Sequence, residues 1–182
     1  MIPEFYARDD KGIPTAWVAR MRESMARLTP LFSANRTVRQ YTEQHYLPAA
    51  AAFHAREAGK GAVARQMVDW RHALEGKWST LRFGEVKAET KGDQHLFEVQ
   101  VYLGEVAPDA VRVELYADAA NGGQATRLEM KRVGPIAGVA NGYLYTASVP
   151  ANRATSDYTA RVIPHYDGVA VPLEVKPILW QR

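Results

Sequence analysis

From Pro14 to Leu28 the apolar side chains Trp17, Met21, Met25 and Leu28 recur every three or four positions, with Arg20, Arg22 and Arg27 between them. That spacing is the period of an amphipathic helix. Pro14 suits its first turn, where the missing N–H costs nothing, and Pro30 ends it. Ser33 is the expected N-cap of a second helix carrying Val38, Tyr41 and Leu47 inward as far as Pro48. The alanine run 49–52 and the residues up to Glu57 have high helix propensity. The helix should therefore resume beyond a kink at Pro48 and end near Gly59 and Gly61. A third helical segment, Ala62 to Glu75, puts Val63, Met67, Trp70 and Leu74 on one face, and Gly76 is the expected left-handed residue at its end.

The second half changes period. Phe97, Val99, Val101 and Leu103 alternate strictly with Glu98, Gln100 and Tyr102, and Val111, Val113 and Leu115 alternate with Arg112, Glu114 and Tyr116. These are half-buried strands. Further strands are expected over 81–88, 127–132, 143–149, 158–163 and 177–181. In the first of these the apolar parity shifts between Phe83 and Val86, which places a bulge at Gly84. Turn chemistry separates the strands at Lys91-Gly92-Asp93, Asn121-Gly122-Gly123, Asn141-Gly142 and Asp167-Gly168. Seven short strands without intervening helices predict an antiparallel, immunoglobulin-like β-sandwich, with Tyr158 where a tyrosine corner would stand. The fold class is thus α+β: a helical segment over 1–77, then a sandwich over 78–182.

Composition adds exclusions. With 47% hydrophobic and 24% charged residues in a 182-residue chain, a sizeable core is expected. The absence of cysteine removes disulfides, thiolate metal sites and a cysteine nucleophile. No apolar run approaches the ~18 residues of a membrane span, and the first residues lack the regions of a signal peptide. A soluble cytoplasmic chain with no membrane partner is expected. Residues 1–80 carry 12 Lys/Arg against 8 Asp/Glu, and residues 81–182 carry 11 against 12. The basic residues of the first part are interleaved with acids and apolar positions, as on a solvated helix face, so no nucleic-acid partner is expected.

Candidate chemistry is sparse. His45, His54, His72, His95 and His165 form no metal-binding pair, and no GxSxG occurs. His165 and Asp167 sit near one turn without a serine to activate. Asp9-Asp10 reads as a loop leading into a helix. No catalytic, cofactor-binding or metal-ligating residue is expected. Tyr102 and Tyr116 fall on the polar parity of their strands, hence on an outer face, and are the candidates for stacking on sugar rings. The bland reading is that both pack against the helical part, bodies covered and hydroxyls wet. A sandwich that binds carbohydrate by itself is the alternative function. Arg36 would stand at the third position of the helix capped by Ser33, where the dipole disfavours a cation. A carboxylate partner is expected, with Glu23 the candidate.

One stretch resembles a known family. Pro3-Glu4-Phe5-Tyr6, Arg8-Asp9, Gly12-Ile13-Pro14, Trp17, Met21, Ser24-Met25, Phe32-Ser33, Asn35-Arg36-Thr37-Val38 and Tyr41 occur in one ordered run. The run resembles the end of the catalytic region of α-glucan (glycogen/starch) phosphorylases. Trp70, Trp78, Tyr102-Leu103-Gly104, Asp157 to Val162 and Ile178 to Arg182 are similar to the β-rich tail of the shorter bacterial and archaeal branch. The resemblance implies a parent enzyme that uses pyridoxal phosphate to release glucose 1-phosphate from α-1,4-glucan. The lysine, phosphate-loop and sugar-binding motifs of that family lie upstream of Met1, so no catalytic or cofactor residue carries over. Ser33, Arg36, Trp17, Phe32 and Tyr41 match as architectural residues. The chain is therefore expected to be a non-catalytic C-terminal part. Its partners would be the rest of a phosphorylase or a second copy, and α-glucan under the alternative.

Overall fold

The computed structural model describes residues 2–120 and 122–182; Met1 and Asn121, the latter in one of the expected turns, lie outside the described residues. Contacts group the chain into two compact units, Met1–Lys60 and Gly61–Arg182.

The first unit contains α1 (Ile2–Tyr6), α2 (Thr15–Leu31), α3 (Ala34–Tyr41) and the first part of α4 (Leu47–Lys77). Helix α1 is too short for its period to be read. Contacts with α2 hold it: Phe5 meets Trp17 edge-on at 5.7 Å, and Glu4 is ion-paired with Arg20. Asp9 accepts from the backbone N–H groups of Lys11 (3.0 Å) and Ile13 (2.8 Å), which closes the loop before α2. Pro30 falls in the last turn of α2, one residue before its end. Ser33 caps α3, its hydroxyl accepting from the Arg36 N–H at 3.3 Å.

Pro48 does not stop the chain, which stays helical through it from Leu47 onward. Residues Thr42–Tyr46 form a π-turn between α3 and α4, and Leu47 N–H donates to Thr42 O. The wider turn relieves the clash between the proline ring and the carbonyl four residues back, and a lost i→i−4 bond costs less where the ladder is already i→i−5.

The left-handed residues of α4 fall at the expected break near Gly59 and Gly61 but not at Gly76. Gly59 (φ 61°), Lys60 (φ 58°) and Gly61 (φ 75°) interrupt it, whereas Gly76 keeps a helical backbone and the helix runs on to Lys77. A short 3-10 turn, Trp78–Thr80, follows, with Leu81 N–H donating to Trp78 O at 3.2 Å. Leu74 and Leu81 bracket this connection and are both buried, so packing fixes the exit.

Beyond it, two antiparallel sheets enclose one core. The first has the order β1 (Arg82–Lys91), β2 (Gln94–Tyr102), β6 (Gly142–Pro150), β5 (Lys131–Pro135). The second has the order β4 (Thr126–Glu129), β3 (Val111–Ala117), β7 (Thr159–Pro164), β8 (Leu179–Trp180). Phe97, Val99, Val101, Val113, Leu115, Ala160 and Val162 supply the inner faces, as their alternation dictates. The bulge falls where the parity shifts, between Phe83 and Val86.

The strand expected over 127–132 is two strands in different sheets. Met130 N–H donates to Val113 O in the second sheet at 2.8 Å, while Lys131 already pairs with Thr146 in the first. Tyr158 immediately precedes β7 and is buried against Phe97 at 5.6 Å, with the Arg153 guanidinium 5.7 Å from its ring centroid.

Candidate functional site

Both candidate tyrosines lie on outer sheet faces and are half-buried. Tyr102, at the end of β2, is opposite Arg82 in register, and the Arg82 guanidinium stands 4.0 Å from its ring centroid. Two glycines also border the ring. A Cβ on Gly84 would lie 2.6 Å from Tyr102 Cε2, and one on Gly142 would lie 3.2 Å from Cδ1. Its hydroxyl donates to Gln100 at 3.3 Å.

Tyr116 is the centre of a larger group. Its ring meets Trp180 edge-to-face at 5.3 Å, and the Arg161 guanidinium lies 4.6 Å from the Tyr116 centroid and 5.2 Å from that of Trp180. Arg161 donates through Nε (2.9 Å) and Nη2 (2.6 Å) to Glu114. The pair is largely covered, at 12% and 14% side-chain exposure, and sits on β3 and β7 side by side. The Tyr116 hydroxyl donates to Asp118 at 2.9 Å. That hydrogen bond, reinforced by the nearby Asp118 charge, holds the phenol above its ordinary range. Trp180 remains 37% exposed.

A third feature was not legible in the sequence. A cleft of about 440 Å³ opens among β3, the β4–β5 crossover and β6. Val111, Val113, Met130 and Tyr145 floor it, and Asp109, Arg112, Glu129, Lys131, Arg132 and His165 edge it. Its members are scattered along the chain, and each charged one reads as an ordinary outward residue of a strand or turn. His165 was visible as a turn histidine beside Asp167, and the two ring and carboxylate atoms are indeed 3.7 Å apart. Its shorter contact is with Arg112, Nη2 to Nε2 at 2.6 Å. Burial pushes the Tyr145 phenol up, against the pull of Arg132.

The remaining histidines do not cluster, and among the described residues no three His, Cys, Asp or Glu side chains could hold a metal. His95 is buried between Thr90 (2.8 Å) and the carbonyl of Arg153 (2.7 Å), a structural role.

In comparison with known proteins, residues 78–182 match the glycogen phosphorylase C-terminal domain. The chain belongs to that family. It is 29% identical over 185 residues to the glycogen phosphorylase of Mycobacterium tuberculosis, covering 95% of this chain and 21% of that protein. It is 24% identical over 187 residues to the maltodextrin phosphorylase of Thermococcus litoralis, covering 100% and 22%. Over 46 residues it is 35% identical to the glycogen phosphorylase of Aquifex aeolicus, covering 25% of this chain and 7% of that protein. The chain thus spans about a fifth of the length of the first curated relatives it matches.

Pyridoxal phosphate, implied by the family resemblance, needs a lysine set in a pocket. Among the described residues no lysine is buried. Lys87 and Lys91 pair on the surface with Glu85 (3.3 Å) and Glu89 (3.0 Å), and Lys131 is exposed at the start of β5. The residues present do not fit that cofactor. Among the described residues no helix is long and apolar enough to cross a membrane.

Proposed function

We propose that the chain is the non-catalytic C-terminal part of an α-glucan phosphorylase, with residues 1–77 closing the catalytic glycosyltransferase region and residues 78–182 forming a sandwich with a structural or interaction role. The observation that carries this reading is the match of almost the whole chain to one fifth of two phosphorylases, helices and sheets together. Within the first unit, Met25, Leu31, Phe32 and Val38 are exposed. Such side chains are those a larger partner surface covers, and the rest of a phosphorylase is that partner here. Arg36 Nε is buried with no hydrogen-bond partner among the described residues. A carboxylate or carbonyl from the remainder of the enzyme would satisfy it. The sandwich itself is of the immunoglobulin-like kind on this reading; the orders β1-β2-β6-β5 and β4-β3-β7-β8 support it. A cytoplasmic location goes with the proposal.

The test is direct. The isolated chain, mixed with pyridoxal phosphate, glycogen and inorganic phosphate, should develop no Schiff-base absorbance and release no glucose 1-phosphate. The same chain joined to the upstream coding region of its own genome should do both. Activity of the isolated chain, lost on borohydride treatment, would overturn the proposal.

A second reading, glucan binding by the sandwich, draws support from Trp180 exposed beside Tyr116. Tyr102 would serve such a surface only by giving up Arg82 from its ring. Retardation of the chain in gels containing amylose, lost in Trp180→Ala and Tyr116→Ala, would favour this reading; unretarded migration would dismiss it.

A further inference from the structure

The cleft among β3, β5 and β6 combines features that the phosphorylase reading leaves unused. Its floor is apolar and buried: Val111, Val113, Met130 and the ring of Tyr145. Its rim carries the cations Arg112, Lys131 and Arg132 against the carboxylates Asp109 and Glu129, a balance of one positive charge. The carboxylates are loosely held. The Asp109 side chain is 90% exposed and touches Arg132 at 3.2 Å; Glu129 is 62% exposed and stands 3.6 Å from Arg112, beyond hydrogen-bond distance. Exposed pairs of this kind contribute little and exchange readily for a better anion.

The guanidinia, by contrast, are oriented. Arg112 donates to His165 Nε2 at 2.6 Å, and Arg132 lies 5.3 Å from the Tyr143 ring centroid. A guanidinium has five donors and no acceptor, so His165 must accept at Nε2, with its Nδ1–H facing the Asp109 carbonyl at 3.4 Å. These partners use only a minority of the donors on either arginine. A planar fork with donors to spare is the side-chain geometry that best matches a phosphate.

We infer that this cleft is a binding site for a phosphomonoester of a small ring compound, its phosphate held by Arg112 and Arg132 and its ring resting on the valine, methionine and tyrosine floor. The volume of about 440 Å³ suits a ligand of that size. A wholly apolar ligand would strip water from three cations without repaying it, and a bare inorganic anion would leave the floor uncovered. Lys131 adds charge at the mouth. All residues of the cleft belong to the unit Gly61–Arg182, and the inference does not depend on the phosphorylase reading.

The full-length chain would be titrated by calorimetry with phenyl phosphate, glucose 1-phosphate, inorganic phosphate and glucose. At least one of the two ring phosphates should bind about fivefold or more tighter than inorganic phosphate, because only they cover apolar surface. Glucose alone should not bind. Arg112→Gln and Arg132→Gln should each weaken binding roughly tenfold by removing a charged donor, whereas Arg20→Gln, far away in sequence on α2, should leave it unchanged. Should a cleft variant unfold, amide chemical shifts of the unaltered chain decide instead: ligand must move Val113, Met130, Arg132 and His165. Three results would overturn the inference: no binding of either ring phosphate, affinity equal to that of inorganic phosphate (an adventitious ion only), or binding indifferent to both arginines and silent at those amides.

Discussion

At Gly84 a hydrogen is all the structure can accommodate. An added Cβ would lie 2.6 Å from Tyr102 Cε2 and 3.0 Å from Gln100 Cβ, both on the neighbouring strand. We expect Gly84→Ala to destabilise the chain by about 1–3 kcal/mol in urea denaturation, the usual cost of overpacking. In a Tyr102→Ala background the same change should cost markedly less, since the clashing ring is gone. Tyr145 makes a different demand. Burial raises the pH at which its phenol ionises, so the neutral form is favoured in the fold. Stability from this source is fully present below the ordinary tyrosine value of about 10 and is lost as pH rises through the higher folded value. The denaturant midpoint should therefore fall above pH ~10, and less steeply in Tyr145→Phe; equal slopes would show that other tyrosines set the alkaline limit. The Ser33 cap was legible because capping is a local rule. The partner of Arg36 was not: Glu23 pairs with Arg27 on its own helix, and Arg36 donates to Gln40 at 2.7 Å. One-turn partners reach each other without tertiary help, so they win over a carboxylate on another helix. With a neutral partner, Arg36→Lys should stay within ~0.5 kcal/mol.

Among the elements, α4 carries the most informative division. Its last turns contribute Leu74 to the core of the sheets, and the Trp70 ring meets that of Tyr166 at 5.1 Å, tilted by 43°. Leu74→Ala should cost about 2–5 kcal/mol, the range for a buried leucine. A chain starting at Gly61 should accordingly melt higher than one starting at Lys77, although both contain every strand. Identical melting curves would mean that the helix merely lies on the sheets. Strand positions were largely legible, because period-2 alternation over β2 and β3 admits one buried face, and the shift of parity at Phe83 and Val86 admits a bulge. The division of residues 127–132 was not. Leu128 and Met130 keep one apolar parity, so nothing in the pattern marks the place where the backbone leaves Val113 for Thr146. The turn at Pro48 was similarly half-legible: proline announces a disturbance, but no residue pattern marks Thr42–Tyr46 as the place where the helix widens.

For the molecule as a whole, the run of matching residues over 3–41 and the β-rich remainder pointed to one family, and 105 residues from 78 to 182 bear its domain. The cleft was invisible at that scale, since it is built from four separate stretches of chain. The helical unit bears Met25 at 65% and Phe32 at 75% exposure. Replacing both by glutamate should lower binding of a hydrophobic dye and raise solubility, with stability changed by no more than ~0.5 kcal/mol; a large loss of stability would show that they pack internally. The two sheets have a further consequence, for how the chain reaches its structure. Neither sheet is continuous in sequence: β1 and β2 wait for β6, as Val99 pairs with Tyr145, and β3 waits for β7, as Leu115 pairs with Ala160. A nascent chain that has emerged only to Ala117 holds two strands of the first sheet and one of the second, and can finish neither. Its apolar inner faces must stay open until the strands beyond Gly142 arrive. Folding should then be slow, on the order of milliseconds to seconds, and the interval before β6 and β7 dock is when the chain is most exposed to aggregation.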